Sequence, residues 1–147
     1  MFDRAQSRAT RDLFRYFISI PTRWMDSDIY GHVNNVVYYA YFDTLICRYL
    51  MEEAKVDIVC GPLVPFTVEN RCRYHRSLSF PAVVEAGLRV ARIGNSSVHY
   101  EIALFSQGDD QPAAEGYFID VFVDRATHGA ITIPDGVRAA LEKLKVE

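Results

Sequence analysis

The chain has 147 residues, half of them apolar and 13% aromatic, with 16 basic against 19 acidic side chains for a formal charge of −3. That length fits one domain with a real core. The charge balance gives no pull toward nucleic acid or an anionic membrane, so neither partner is expected.

Residues 1–12 are polar and carry Asp3, Arg4, Arg8, Arg11 and Asp12 without a continuous apolar run. They are expected to form a flexible arm, with no leader and no membrane span, ahead of a single domain over residues 13–147. Residues 16–22 predict a first strand, in which Pro21 points to an edge or a bulge. A loop rich in Asp, Gly and Asn follows, and residues 36–54 form the only long helical pattern in the first two-thirds of the chain. Its first turns are apolar on nearly every side, which predicts a buried helix. Residues 66–75 alternate with a period of two, residues 82–93 are rich in valine, and Gly94-Asn95 is a two-residue hairpin signal with Gly at the position a II′ turn prefers. Residues 98–105 alternate again, residues 106–112 are a polar loop, and residues 113–124 predict a last strand. Pro134 fits the first turn of a short helix ending near Lys145. The element order implies an α+β domain of two layers, an antiparallel sheet curled around one long helix.

The chemistry concentrates at the strand-to-helix junction, Arg23-Trp24-Met25-Asp26-Ser27-Asp28-Ile29-Tyr30-Gly31-His32-Val33-Asn34-Asn35. Two carboxylates, an imidazole and two helix-capping amides meet there. A helix N-terminus offers free N–H groups and a positive dipole end, suited to an anion or a developing oxyanion. Other chemistries lack support. There is no Gly-x-Ser-x-Gly elbow and no Gly-rich phosphate loop, and the four histidines have no metal-ligand spacing, so no metal and no cofactor are expected. Cys47, Cys60 and Cys72 show no C-x-x-C spacing and leave one over from any pairing, so reduced thiols and a cytoplasmic setting are expected.

The segment Asp26-x-Asp28-x-x-Gly31-His32-Val33-Asn34-Asn35-x-x-Tyr38, with Phe42-Asp43 after it, resembles the active-site loop of hot-dog-fold acyl-CoA thioesterases of the 4-hydroxybenzoyl-CoA thioesterase family. Weaker matches are Tyr74-His75-Arg76-Ser77-Leu78 and Ile93-Gly94-Asn95-Ser96-Ser97. The resemblance implies a hot-dog fold and hydrolysis of an acyl-CoA to a free acid and coenzyme A. It makes Asp28 the catalytic carboxylate, as nucleophile or as general base, and gives the Asn35 N–H the task of polarising the thioester carbonyl. His32 either orients Asp28 or the water, or is structural. Asp26 is read as holding the loop through backbone hydrogen bonds, and Asp43 as structurally paired. The implied assembly is a homodimer or homotetramer with shared sites.

Tyr38, Tyr39 and Tyr41 are candidate pocket walls, with core packing the competing role. Arg71, Arg73, His75 and Arg76, joined by Arg89 and Arg92, form a local basic cluster that could meet coenzyme A phosphates or pair with Glu69, Glu85 and Glu101. From this set Tyr38, Arg73, Arg76, Arg89 and Ser96 are the expected substrate contacts. Two other readings stay open: hydrolysis of acyl-carrier-protein thioesters, and acyl-CoA binding without turnover.

Overall fold

In the computed structural model, which describes residues 9–146, strand β1 (Tyr16–Pro21) leads through a 3₁₀ turn (Trp24–Asp26) into helix α1 (Asn35–Glu52). Strands β2 (Leu63–Tyr74), β3 (Val83–Ile93), β4 (Ser97–Ser106) and β5 (Ala114–Asp124) follow, and then helix α2 (Asp135–Glu142). The five strands form one sheet in the order β1-β3-β4-β5-β2, antiparallel throughout. Short connections keep β3, β4 and β5 side by side. The strands on either side of α1, β1 and β2, lie at opposite edges, and the helix runs along the sheet from Tyr74 at the end of β2, which bonds Asn35, to Tyr16 at the start of β1, which packs on Tyr49. Its 18 residues span about 27 Å, enough to cross five strands spaced about 4.8 Å apart.

The residues of α1 that touch the sheet recur at steps of three and four: Tyr38, Tyr41, Phe42, Leu45, Ile46, Tyr49 and Leu50. They meet the inward rows of the strands, including Val84, Ala86 and Leu88 of β3 and Tyr100, Ile102 and Leu104 of β4, all fully buried. Gly116 of β5 gives Phe42 its seat. A Cβ there would come within 2.7 Å of the Phe42 ring and 2.3 Å of the Arg71 carbonyl oxygen. The helix is not buried all round, as its sequence predicts. Val36 is 65% exposed, and Ala40, Asp43, Thr44 and Met51 are exposed as well, because the sheet covers only one side of it. Asp43 makes no ion pair among the described residues, and its polar neighbour is Cys47 Sγ at 3.9 Å.

Three local departures have physical causes. β2 begins at Leu63 and shifts register between Thr67 and Glu69, so its alternation is broken by a bulge on an edge strand. The β3–β4 turn is one residue longer than the hairpin signal implies, and Gly94 is not among the positive-φ residues, so it is not a II′ turn. Neighbours pin that loop instead: Ser96 O accepts the Phe122 N–H at 2.8 Å and Asn95 O accepts the Ile133 N–H at 2.9 Å. Pro134 is the N-cap residue of α2, and the helix stops at Glu142, short of Lys145. Of the expected arm, residues 1–8 lie outside the described residues. Residues 9–14 lie against the outer face of the sheet, where Phe14 packs with Ala103 and Phe105 and the Ala9 N–H donates to Glu115 at 2.9 Å.

Two carboxyls are buried among the described residues, Asp26 in the loop before α1 and Asp120 in the sheet. Asp120 of β5 is 3% exposed and accepts the Thr67 hydroxyl at 2.9 Å. Burial pushes its carboxyl up to about 6, with Asp43 adding to the rise and the Thr67 bond opposing it. The folded form therefore keeps its proton to higher pH than the unfolded chain does. Stability is full below the ordinary value of 3.8 and falls as pH rises toward about 6. Asp120→Asn, which cannot ionise, should gain on the wild type across that window by up to about 3 kcal/mol. Urea melts at pH 4 and pH 8 measure this, and an equal difference at both would contradict it.

Candidate active site

The loop between β1 and α1 is built on one buried carboxylate. Asp26 is 1% exposed. Its Oδ2 accepts the Arg23 N–H at 2.9 Å and the Tyr41 hydroxyl at 2.8 Å, and its Oδ1 accepts the Arg23 guanidinium at 2.8 and 3.0 Å. Burial works against the charge, but these bonds outweigh it and hold the carboxyl below its ordinary value. The Asp26 carbonyl accepts the Asn34 N–H at 2.8 Å, which ties the start of the loop to the helix entry. Asn34 caps α1, its side chain accepting the Val36 N–H at 3.1 Å. Asp26 is thus structural, through its side chain as well as its backbone.

Within that frame residues 28–32 close a tight turn. The Asp28 N–H donates to His32 O at 2.8 Å, and the Gly31 N–H donates to Asp28 O at 3.2 Å. Gly31 takes φ +79°, a conformation that only glycine adopts at little cost. Asp28 Oδ1 accepts the Tyr30 N–H at 2.9 Å and, at 3.4 Å, that of His32. Oδ2 makes no hydrogen bond to a described residue.

Asp28 faces a cleft of about 350 Å³ lined by His32, Val33, Asn35, Tyr38, Tyr74, His75, Arg76 and Ser77. Asn35 is the first residue of α1, so its N–H has no intrahelical acceptor. Its carbonyl accepts the Tyr74 hydroxyl at 2.9 Å. Tyr38 is a buried wall, packed edge-on against Tyr74 at 4.9 Å, and its hydroxyl accepts the Leu78 N–H at 3.3 Å. Tyr41 is committed to Asp26, and Tyr39 stacks on Phe42 and Phe118.

Asp28, His32, Asn35, Tyr38 and Arg76 therefore come together, while the other expected contacts do not. Arg73 and Arg89 line a separate cleft on the outer face of the sheet, where Arg89 pairs with Glu101 and lies over the Phe14 ring. Ser96 sits at the β3–β4 turn, beyond the opposite end of the β4–β5 ladder from Ala114 and its neighbour Tyr74. Arg76 pairs with Asp109 at 3.2 Å. The sequence reading leaves Tyr74 and His75 out of the site. Their quoted segment marks the place, but their two directions become clear only once β2 ends at Tyr74. A thiol nucleophile has no support here, since burial pushes Cys47 and Cys72 up to about 11. Among the described residues no three His, Cys, Asp or Glu side chains gather as metal ligands.

A five-stranded antiparallel sheet packed on one long helix is the hot-dog architecture, and here an acidic loop sits at that helix's N-terminus. The sequence pattern of the thioesterase-like superfamily matches residues 22–141, and the chain belongs to that family. The crystal structure of the PA5185 protein from Pseudomonas aeruginosa strain PAO1 is 46% identical, covering 96% of this chain and 99% of that one at a TM-score of 0.94. The PA2801 protein of Pseudomonas aeruginosa is 30% identical over 87% of this chain and 98% of its own, at a TM-score of 0.81. A thioesterase from Thermus thermophilus, complexed with coenzyme A and Zn, shares the fold at 24% identity and a TM-score of 0.75, covering 89% of this chain and 95% of that one.

Asp26→Asn keeps the shape but removes the charge that Arg23 and Tyr41 satisfy. It should destabilise the protein by about 1–3 kcal/mol at pH 7. Because the folded carboxyl lies below 3.8, its stabilisation is present above that value and is lost as pH falls through the lower folded value. The gap between variant and wild type should therefore close in acid. Denaturant melts from pH 7 to pH 3 test this, and a gap that stays constant would contradict it.

Proposed function

We infer that the chain hydrolyses acyl-CoA thioesters, with Asp28 attacking the carbonyl carbon. One observation carries this reading: the Asp28 carboxylate is held at Oδ1 by backbone N–H groups, Oδ2 has no hydrogen bond to a described residue, and Asp28 and Asn35 line the same cleft. The thioester oxygen takes its place at the Asn35 N–H, where the helix dipole and an orphan donor stabilise the developing oxyanion. A thiolate departs readily, so a carboxylate nucleophile suffices. His32 supports the turn through its backbone, its N–H donating to Asp28 Oδ1 and its C=O accepting the Asp28 N–H. Tyr38 and Val33 wall the apolar side of the cleft, and Arg76 is the basic group placed for the phosphates. The coenzyme A complex of the Thermus thermophilus relative favours that carrier over an acyl carrier protein.

The reading includes self-association. β2 pairs with β5 on one side only and exposes Phe66 and Val68, and the uncovered face of α1 carries the exposed Val36. A two-fold pairing of β2 edges covers all of these and removes an unprotected edge. It also brings a second chain to the open side of the cleft.

Two measurements follow. Asp28→Asn should lower kcat by about 100-fold or more with folding intact, since a positioned carboxylate is worth that much. Turnover within a few-fold of the wild type would remove Asp28 from the mechanism. Light scattering at micromolar concentration should report a dimer or tetramer, and an active monomer of 16.8 kDa would contradict the shared-site reading.

A further inference from the structure

Once Asp28 carries the acyl group, its carboxylate is no longer available as a base. The water that must then attack needs another acceptor for its proton. The cleft offers few. Tyr38 and Tyr74 are raised above their ordinary values by burial, and their hydroxyls are engaged with Leu78 and Asn35. Arg76 is a cation. Two imidazoles remain, His32 and His75.

They differ in support. The His32 side chain makes no hydrogen bond to a described residue and stands exposed. His75 has a side chain only 10% exposed, and its Nε2 lies 2.7 Å from Glu115 Oε2. Glu115 is fixed in turn, since its Oε1 accepts the Ala9 N–H at 2.9 Å. With Nε2–H given to a carboxylate, the ring's other nitrogen, Nδ1, carries the lone pair, and it makes no hydrogen bond to a described residue. His75 follows the last residue of β2. Tyr74 packs inward on Tyr38, and His75 reaches outward to Glu115 while still lining the Asp28 cleft. An imidazole held by a carboxylate at one nitrogen, with its other nitrogen unbonded to the described residues, in a residue that lines the Asp28 cleft, has the make-up of a general base.

We propose that His75, oriented by Glu115, is the base that activates water to hydrolyse the acyl group from Asp28. This rests on the nucleophilic reading of Asp28. In the first step Asp28 Oδ2 bonds to the acyl carbon and the C–S bond breaks, its electron pair leaving on the coenzyme A thiolate. In the second step a water oxygen bonds to the same carbon while His75 Nδ1 takes the water proton. The bond from the acyl carbon to Asp28 breaks, and its pair restores the Asp28 carboxylate. Glu115 stabilises the imidazolium, which then gives its proton to the thiolate or to solvent. Glu115 touches neither substrate nor water and is a positioning residue.

The test uses rapid-quench kinetics on the full chain, with benzoyl-CoA and decanoyl-CoA as probes. His75→Ala should lose about 100-fold in kcat, in the range a positioned base contributes, and KM should fall with it because the acylation step that sets kcat/KM is untouched. The block falls after thiol release, so this variant should show a stoichiometric burst of coenzyme A that the wild type lacks. Free imidazole should restore part of its turnover and none of that of Asp28→Asn. Glu115→Gln should show a smaller loss with the same burst, which keeps the test open if His75→Ala fails to fold. Turnover of His75→Ala within a few-fold of the wild type would overturn the proposal. So would a loss of kcat without either a burst or rescue by imidazole. If Asp28→Asn stays active, the fault lies with the Asp28 reading; if Asp28→Asn is dead and His75→Ala is normal, only the role of His75 falls.

Discussion

The buried carboxylate of Asp26 is the constraint on which the site depends. It gathers the Arg23 N–H, the Arg23 guanidinium and the Tyr41 hydroxyl, and its own carbonyl takes the Asn34 N–H. Those partners come from the end of the first strand, the loop and the body of α1. One side chain thereby fixes where the loop leaves the sheet and where the helix begins. Asp28 is two residues along the chain from this anchor, and the Asn35 N–H is one residue past Asn34. The distance between the Asp28 carboxylate and the Asn35 N–H is therefore set by short, hydrogen-bonded segments. Catalytic geometry needs that rigidity, because a displacement of about 1 Å can cost about 100-fold in rate.

The two aspartates show how position divides similar side chains. Asp26 is saturated by donors and is unavailable to a substrate. Asp28 is held at one oxygen only, beside a glycine at positive φ that turns the chain back, and it lines the cleft. At the far side of that cleft Tyr74 and His75 leave the end of β2 in two directions. One closes the floor through Asn35 and Tyr38, and the other reaches Glu115 on the outer face. The end of β2 thus links both faces of the sheet to one cleft.

Much of this was legible in the sequence. The strand–helix–strand order, the alternation of β4, and the loop with its carboxylates and helix caps are local patterns, and local patterns survive folding. What was not legible depends on pairings between distant segments. The apolar first turns of α1 predict burial on every side, yet only the sheet-facing stripe is covered, because burial is decided by what lies opposite. Arg73 and Arg76 are neighbours in a basic run, but the end of β2 falls between them and sends them to different clefts. Arg89 meets Glu101 because β3 and β4 pair in that register, which fixes its role as a cross-strand ion pair. His75 gained its carboxylate from Glu115, 40 residues away, and no spacing signals such a pair.

The central claim is that Asp28 forms a bond with the acyl group, and the most direct measurement is chemical trapping during turnover. Borohydride added to enzyme mixed with acyl-CoA reduces a carboxylate that is held as a mixed anhydride to an alcohol. Peptide mass analysis then locates the change. The account predicts conversion of the side chain at position 28 to that of homoserine, only when substrate is present, and more strongly in the His75→Ala variant. Full turnover with Asp28 unmodified, or reduction of another carboxylate such as Asp43, would contradict it.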